Sequence, residues 1–68
     1  MVAYYVNINA QDNGDHEVHK VGCYYMPRPE HKLYLGVFSN CYEAVREALK
    51  KYSTADGCHY CCPECDKR

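Results

Sequence analysis

The chain has 68 residues, which leaves room for one domain with a thin core. Eight basic and nine acidic residues give a formal net charge of −1, with no basic stripe, which weighs against nucleic acid as a partner. No apolar run approaches the length of a transmembrane helix, so no membrane is expected either.

In chain order, Val2, Tyr4, Val6 and Ile8 alternate with Ala3, Tyr5, Asn7 and Asn9. That period of two, rich in β-branched and aromatic residues, predicts a half-buried strand over 2–8. The same stretch lacks a basic n-region and a continuous apolar region, so no signal peptide is read there, and the expected compartment is the cytoplasm. Asp12-Asn13-Gly14-Asp15 is a turn signal, because Asn and Gly tolerate positive φ. A second, more polar strand follows over 16–21, and a hairpin between the two is expected. Residues 22–32 read as a loop stiffened by Pro27 and Pro29. Leu33-Tyr34-Leu35-Gly36-Val37-Phe38 is the third strand (33–38). Leu33, Leu35 and Val37 are expected on one face, Tyr34 and Phe38 on the other, with Gly36 marking a bulge or close approach. Asn40 with Glu43 three residues on fits a capping box. It opens a helix over 40–52 with Cys41, Val45, Ala48, Leu49 and Tyr52 on its apolar face. The expected fold class is therefore α+β: a three-stranded, mainly antiparallel sheet, one helix packed on a face, and a Cys-rich C-terminal closure over 57–65.

Composition shows why that closure matters. There are six cysteines, eight tyrosines, one phenylalanine and no tryptophan. Domains this small usually need a disulfide, a metal or a partner to hold them. Tyrosine, with its apolar ring and polar tip, suits the edge of such a core. Four of the cysteines stand in two abutting C-x-x-C units, Cys58-His59-Tyr60-Cys61 and Cys62-Pro63-Glu64-Cys65. Each unit can turn two sulfurs to one side, as zinc knuckles do. C-P-x-C also occurs in thioredoxin-type redox sites, but at the start of a helix within a βαβ unit. A unit this near the C-terminus is not expected to belong to one.

Strong zinc sites join knuckles that lie well apart in sequence, so the four tail sulfurs are badly spaced to hold one ion alone. The candidate ligands are a subset of four among Cys23, Cys58, Cys61, Cys62 and Cys65, with Cys41, His19 or His59 as substitutes. They would hold one zinc ion or none. Disulfides are the competing reading, since the cysteine count is even. The adjacent Cys61–Cys62 pair would be strained, which favours bonding Cys23 or Cys41 to a tail cysteine. Reduced thiols are the third state, and the spacing leaves all three open.

Cys41, at the start of the helix, is either a reactive thiol favoured by the helix N-terminus or a small buried apolar residue, and the second is expected. His16-Glu17-Val18-His19 is one residue short of HExxH and lies on a strand that sends its histidines to opposite faces, so no zincin site is read there. His19 and Cys23 form a candidate ligand pair, although the simpler reading leaves His19 partly exposed. His31 and His59 are expected at the surface. A cysteine-dependent enzyme, with Cys41 or Cys62 as nucleophile and His16 or His19 as base, has the residue types but little room for an enclosing pocket.

The combination of Asn13-Gly14-Asp15-His16-Glu17-Val18-His19, Cys23, Tyr34-Leu35-Gly36-Val37-Phe38, Cys41, Ala44, Asp56-Gly57-Cys58, Cys61-Cys62 and Cys65 resembles a family of small bacterial proteins of unknown function. The likeness spans nearly the whole chain. It implies a single bacterial domain and supplies no activity or functional residue. The expected function is a small non-catalytic domain with zinc as its candidate staple, acting through protein contacts. The rivals are a thiol redox or metal-handling protein using the tail, and a minimal cysteine enzyme.

Overall fold

A computed structural model describes residues 1–67. Strands β1 (Val2–Asn7), β2 (His16–Lys20) and β3 (Lys32–Phe38) precede helix α1 (Cys41–Leu49), and a short strand β4 (Ala55–Gly57) follows it. They form one four-stranded sheet in the order β3-β1-β2-β4. β1 pairs antiparallel with β2 and β3, whereas β4 pairs parallel with β2. The α+β class therefore stands, but the expected three-stranded antiparallel sheet is corrected to a mixed sheet of four. A three-residue strand is too short to show a period in sequence, and β4 exists only through its pairing with β2.

The β1–β2 connection closes as its composition dictates. The Gly14 N–H donates to the Gln11 carbonyl at 2.8 Å, and Gly14 takes φ +91°, which a side chain would resist. The β1–β3 register slips between Tyr4, opposite Gly36, and Tyr5, opposite Tyr34, so Leu35 is the extra residue of a bulge. Gly36, at φ +136°, makes that bulge possible. The bulge also reverses the alternation expected of β3. Leu33, Leu35 and Phe38 pack against the core, while Val37 is 46% exposed.

Asn40 caps α1 as its position suggests, its side-chain oxygen accepting the Glu43 N–H at 3.0 Å. Glu43 reaches back to the Ser39 N–H at 3.1 Å. The helix stops at Leu49 rather than reaching Tyr52, and the Lys51 and Tyr52 N–H groups both turn onto the Ala48 carbonyl. Its buried face is Cys41, Ala44 and Ala48, whereas Leu49 is largely exposed. Alanines at these positions let the helix lie close on Tyr4, Val6 and Val18, which form the sheet side of the core. Tyrosine serves the core less than its composition suggests: Tyr4 is buried, but Tyr24, Tyr25, Tyr34, Tyr42 and Tyr60 are exposed.

The tail completes the core. Cys62 and Cys65 are buried within it, and Cys65 is disulfide-bonded to Cys41 at the start of α1. Of the two bonds to the tail that the disulfide reading left open, from Cys23 or from Cys41, the second is present, and Cys41 is buried as expected but bonded rather than a free thiol. A crosslink across 24 residues contributes about 3.5 kcal/mol by restricting the unfolded chain. The Asp56 carboxylate accepts the Lys67 N–H through both oxygens, at 3.0 and 3.2 Å. Gly57 is where the returning tail comes closest: a Cβ there would lie 2.6 Å from the Cys65 Cβ and 2.8 Å from the Cys62 carbonyl oxygen. Gly57→Ala is therefore expected to destabilise the domain by about 1–3 kcal/mol through overpacking. Urea unfolding measures this, and an unchanged midpoint would show that the tail does not pack here.

Candidate metal centre

Parallel strands end on the same side, and that geometry builds the site. β2 delivers His19 near its carboxyl end. The chain then turns through Lys20–Cys23, with the Cys23 N–H on the Lys20 carbonyl at 3.1 Å and Gly22 at φ +89°. β4 ends beside it, and the Cys58 N–H continues the pairing onto the Val18 carbonyl at 2.9 Å. Strand alternation sends Val18 into the core and Glu17 and His19 to the opposite face. Beyond Cys58 the chain folds into a tight turn, closed by the Cys62 N–H on the Cys58 carbonyl at 2.9 Å.

The result is a cluster of four donors. One ring nitrogen of His19 and the sulfurs of Cys23, Cys58 and Cys61 all lie within 4.8 Å of one another. The Cys23 and Cys58 sulfurs are 4.0 Å apart, and the Cys61 sulfur is 3.9 Å from His19 Nδ1. Four ligands around a zinc ion at ordinary bond lengths would stand about 3.5–3.8 Å apart, so small side-chain shifts suffice to close the shell. His19 and Cys58 are buried, and Cys23 and Cys61 are partly exposed. These four side chains can hold a metal ion.

Burial favours the neutral forms of these groups. Burial pushes the thiols of Cys58, Cys61 and Cys62 up and the His19 imidazole down, because a charge there loses its hydration. A neutral imidazole is the ligand form, and a divalent ion would draw the thiols into their thiolate form. Backbone donors are already aimed at the sulfurs. The Lys20 N–H donates to the Cys61 sulfur at 3.4 Å, and the N–H groups of Tyr60 and Cys61 favour the Cys58 thiolate against its burial. Behind the cluster, Glu17 Oε1 stands 3.6 Å from His19 Nε2. The carboxylate thus lies on the Nε2 side of the ring, and Nδ1 is left on the side of the Cys61 sulfur.

Of the sequence candidates, the fold brings together Cys23, Cys58, Cys61 and His19. It leaves the others out. Cys62 is buried 3.8 Å from the Cys61 sulfur, on the core side of the turn. Cys65 and Cys41 are bonded to each other. His59 is exposed and pairs with Asp66, its Nδ1 3.0 Å from Asp66 Oδ2. The expectation of a partly exposed His19 is corrected, for it is 1% exposed beneath the tail. Glu17 is not a residue that cysteine and histidine spacing picks out; its place two residues before His19, on the same strand face, is the signal that finds it. The C-P-E-C unit forms a 3₁₀ turn over Pro63–Cys65, and its second sulfur is bonded to Cys41 rather than to Cys62.

No protein-family model, curated protein or solved structure matches the chain. Among the described residues no helix is long and apolar enough to cross a membrane. Glu17→Gln is expected to weaken metal binding by roughly tenfold, with the fold unchanged by circular dichroism. Competition with a chromogenic chelator measures the affinity, and a wild-type value would remove Glu17 from the site.

Proposed function

We propose that this chain is a small non-catalytic domain fastened by one zinc ion on His19, Cys23, Cys58 and Cys61, and that it acts through contacts with another protein. The observation that carries this is the convergence of four ligand atoms within 4.8 Å from two segments that only the fold brings together. Three thiolates and an imidazole are a donor set suited to zinc, whereas calcium and magnesium take oxygen ligands. Four protein donors leave no open position for substrate, which favours a structural over a catalytic role. The ion would tie the turn after β2 to the turn after β4, where the sheet is held least by its own ladder.

The protein-contact part of the reading is supported by the rings beside the centre. Tyr25 and Tyr60 stack at 4.2 Å, and Tyr24 meets Tyr25 edge-on at 5.1 Å, so three exposed tyrosines support one another rather than the core. Rigid exposed aromatics are enriched where proteins meet. Four cysteines kept as thiols suit a reducing compartment, and the Cys41–Cys65 bond is shielded by burial, so the cytoplasm remains the proposed location.

Reduced protein titrated with zinc without oxygen is expected to bind about one ion per chain and to melt at a higher temperature, an effect reversed by chelator. Cys58→Ser should weaken binding by at least about a hundredfold, whereas Cys62→Ser should bind as the wild type does. Absence of binding, or loss of binding on replacing Cys62 alone, would overturn the assignment.

A further inference from the structure

The four donors are not equivalent in access. Cys23 and Cys61 both line an open groove of about 720 Å³ walled by Lys20, Tyr24, Tyr25 and Tyr60. The Cys23 sulfur stands 4.0 Å from that of Cys58, which is 1% exposed and belongs to the other segment. Cys23 is thus within reach of a small solute, and Cys58 is placed to resolve whatever forms on it. Those are the two requirements of a reversible thiol oxidation. The pair also spans the two segments that the ion would join.

Resting on the zinc reading, we propose that the centre is a peroxide-gated metal-release site, in which Cys23 and Cys58 exchange the bound ion for a disulfide. The oxidant is a hydroperoxide. The Cys23 thiolate attacks one peroxide oxygen, the O–O bond breaks, and hydroxide (or alkoxide, from an organic peroxide) leaves. This gives a sulfenic acid on Cys23. The Cys58 thiolate then attacks the Cys23 sulfur, the S–S bond forms, and the sulfenic oxygen leaves as a second hydroxide. The two sulfurs together lose two electrons, and the peroxide gains them. The leaving groups take up two protons from solvent, so hydrogen peroxide ends as two waters. With two of its three thiolates gone, the ion is left on Cys61 and His19 and dissociates.

The domain is built to survive the exchange. A Cys23–Cys58 bond would join the same two segments that the ion joins, and the Cys41–Cys65 bond holds the tail to α1 independently. Cys61 and Cys62 have sulfurs 3.8 Å apart, but they are neighbours in sequence. Adjacent Cα atoms are about 3.8 Å apart, short of the roughly 4.4–6.8 Å that disulfides span. Cys62 is also fully buried, out of reach of the oxidant.

The test loads the full chain with zinc, adds hydrogen peroxide, and tracks released zinc with a metallochromic dye alongside thiol titration and peptide mapping. Expected are release of about one zinc per chain, loss of about two thiols, a Cys23–Cys58 crosslinked peptide, and recovery of binding after reduction. Cys62→Ser should release zinc as the wild type does. Zinc held while peroxide oxidises the metal-free protein would overturn the release, and a Cys58–Cys61 or Cys61–Cys62 crosslink would overturn the assignment of the pair. A chain that never loads zinc fails at the first step, which overturns the zinc reading and this inference together, whereas a loaded chain that keeps its zinc overturns this inference alone.

Discussion

The parallel pairing of β4 with β2 is the constraint on which the rest depends. It sets Glu17 opposite Asp56 and Val18 opposite Gly57, and the Cys58 N–H extends it onto the Val18 carbonyl. An antiparallel pairing would have carried Cys58 toward the opposite end of β2, away from His19 and Cys23. Parallel pairing is slightly less stable per residue, and β4 has three residues with which to sustain it. A strand that short holds its register only if the chain beyond it is fastened.

A disulfide fastens one face of the sheet, and a cluster of four donors lies on the other. On the helix side, the Cys41–Cys65 bond, the buried Cys62 and the close approach at Gly57 pin the tail against α1. On the other side, His19, Cys23, Cys58 and Cys61 converge beneath the tail. The turn from Cys58 to Cys62 links the two, because Cys61 faces the cluster while Cys62 faces the core. The adjacent pair of cysteines, awkward if both served one ion, becomes reasonable once each belongs to a different face. The core has few large apolar residues: cysteine, alanine and valine fill it, and the Cys41–Cys65 crosslink adds to what apolar area supplies.

Much of this is legible in the sequence where a local rule governs. Alternation marks β1, Asn40 and Glu43 mark the start of α1, and Gly36 marks the bulge. The spacing of the tail cysteines already shows that they are poorly placed to hold an ion by themselves, and it points to Cys23, Cys41 or a histidine as the outside partner. The features that escape depend on long-range pairing. Ala55-Asp56-Gly57 has no strand signature of its own. The bulge at Leu35 sends Phe38 inward and Val37 outward, which simple alternation reverses. His19 looks half-exposed on its strand because the segment that covers it lies about forty residues away. The division of the tail into candidate ligands (Cys58 and Cys61) and core residues (Cys62 and Cys65) appears only in the fold, and the spacing i, i+3, i+4, i+7 does not reveal it.

X-ray absorption at the zinc edge of the metal-loaded protein tests the centre most directly. Three sulfurs at about 2.3 Å and one nitrogen at about 2.0–2.1 Å are the shell that Cys23, Cys58, Cys61 and His19 would give. Four sulfurs would mean that Cys62 displaces His19, and a shell of nitrogen and oxygen would mean that the thiols do not bind the ion; either result would contradict a centre built from these four side chains.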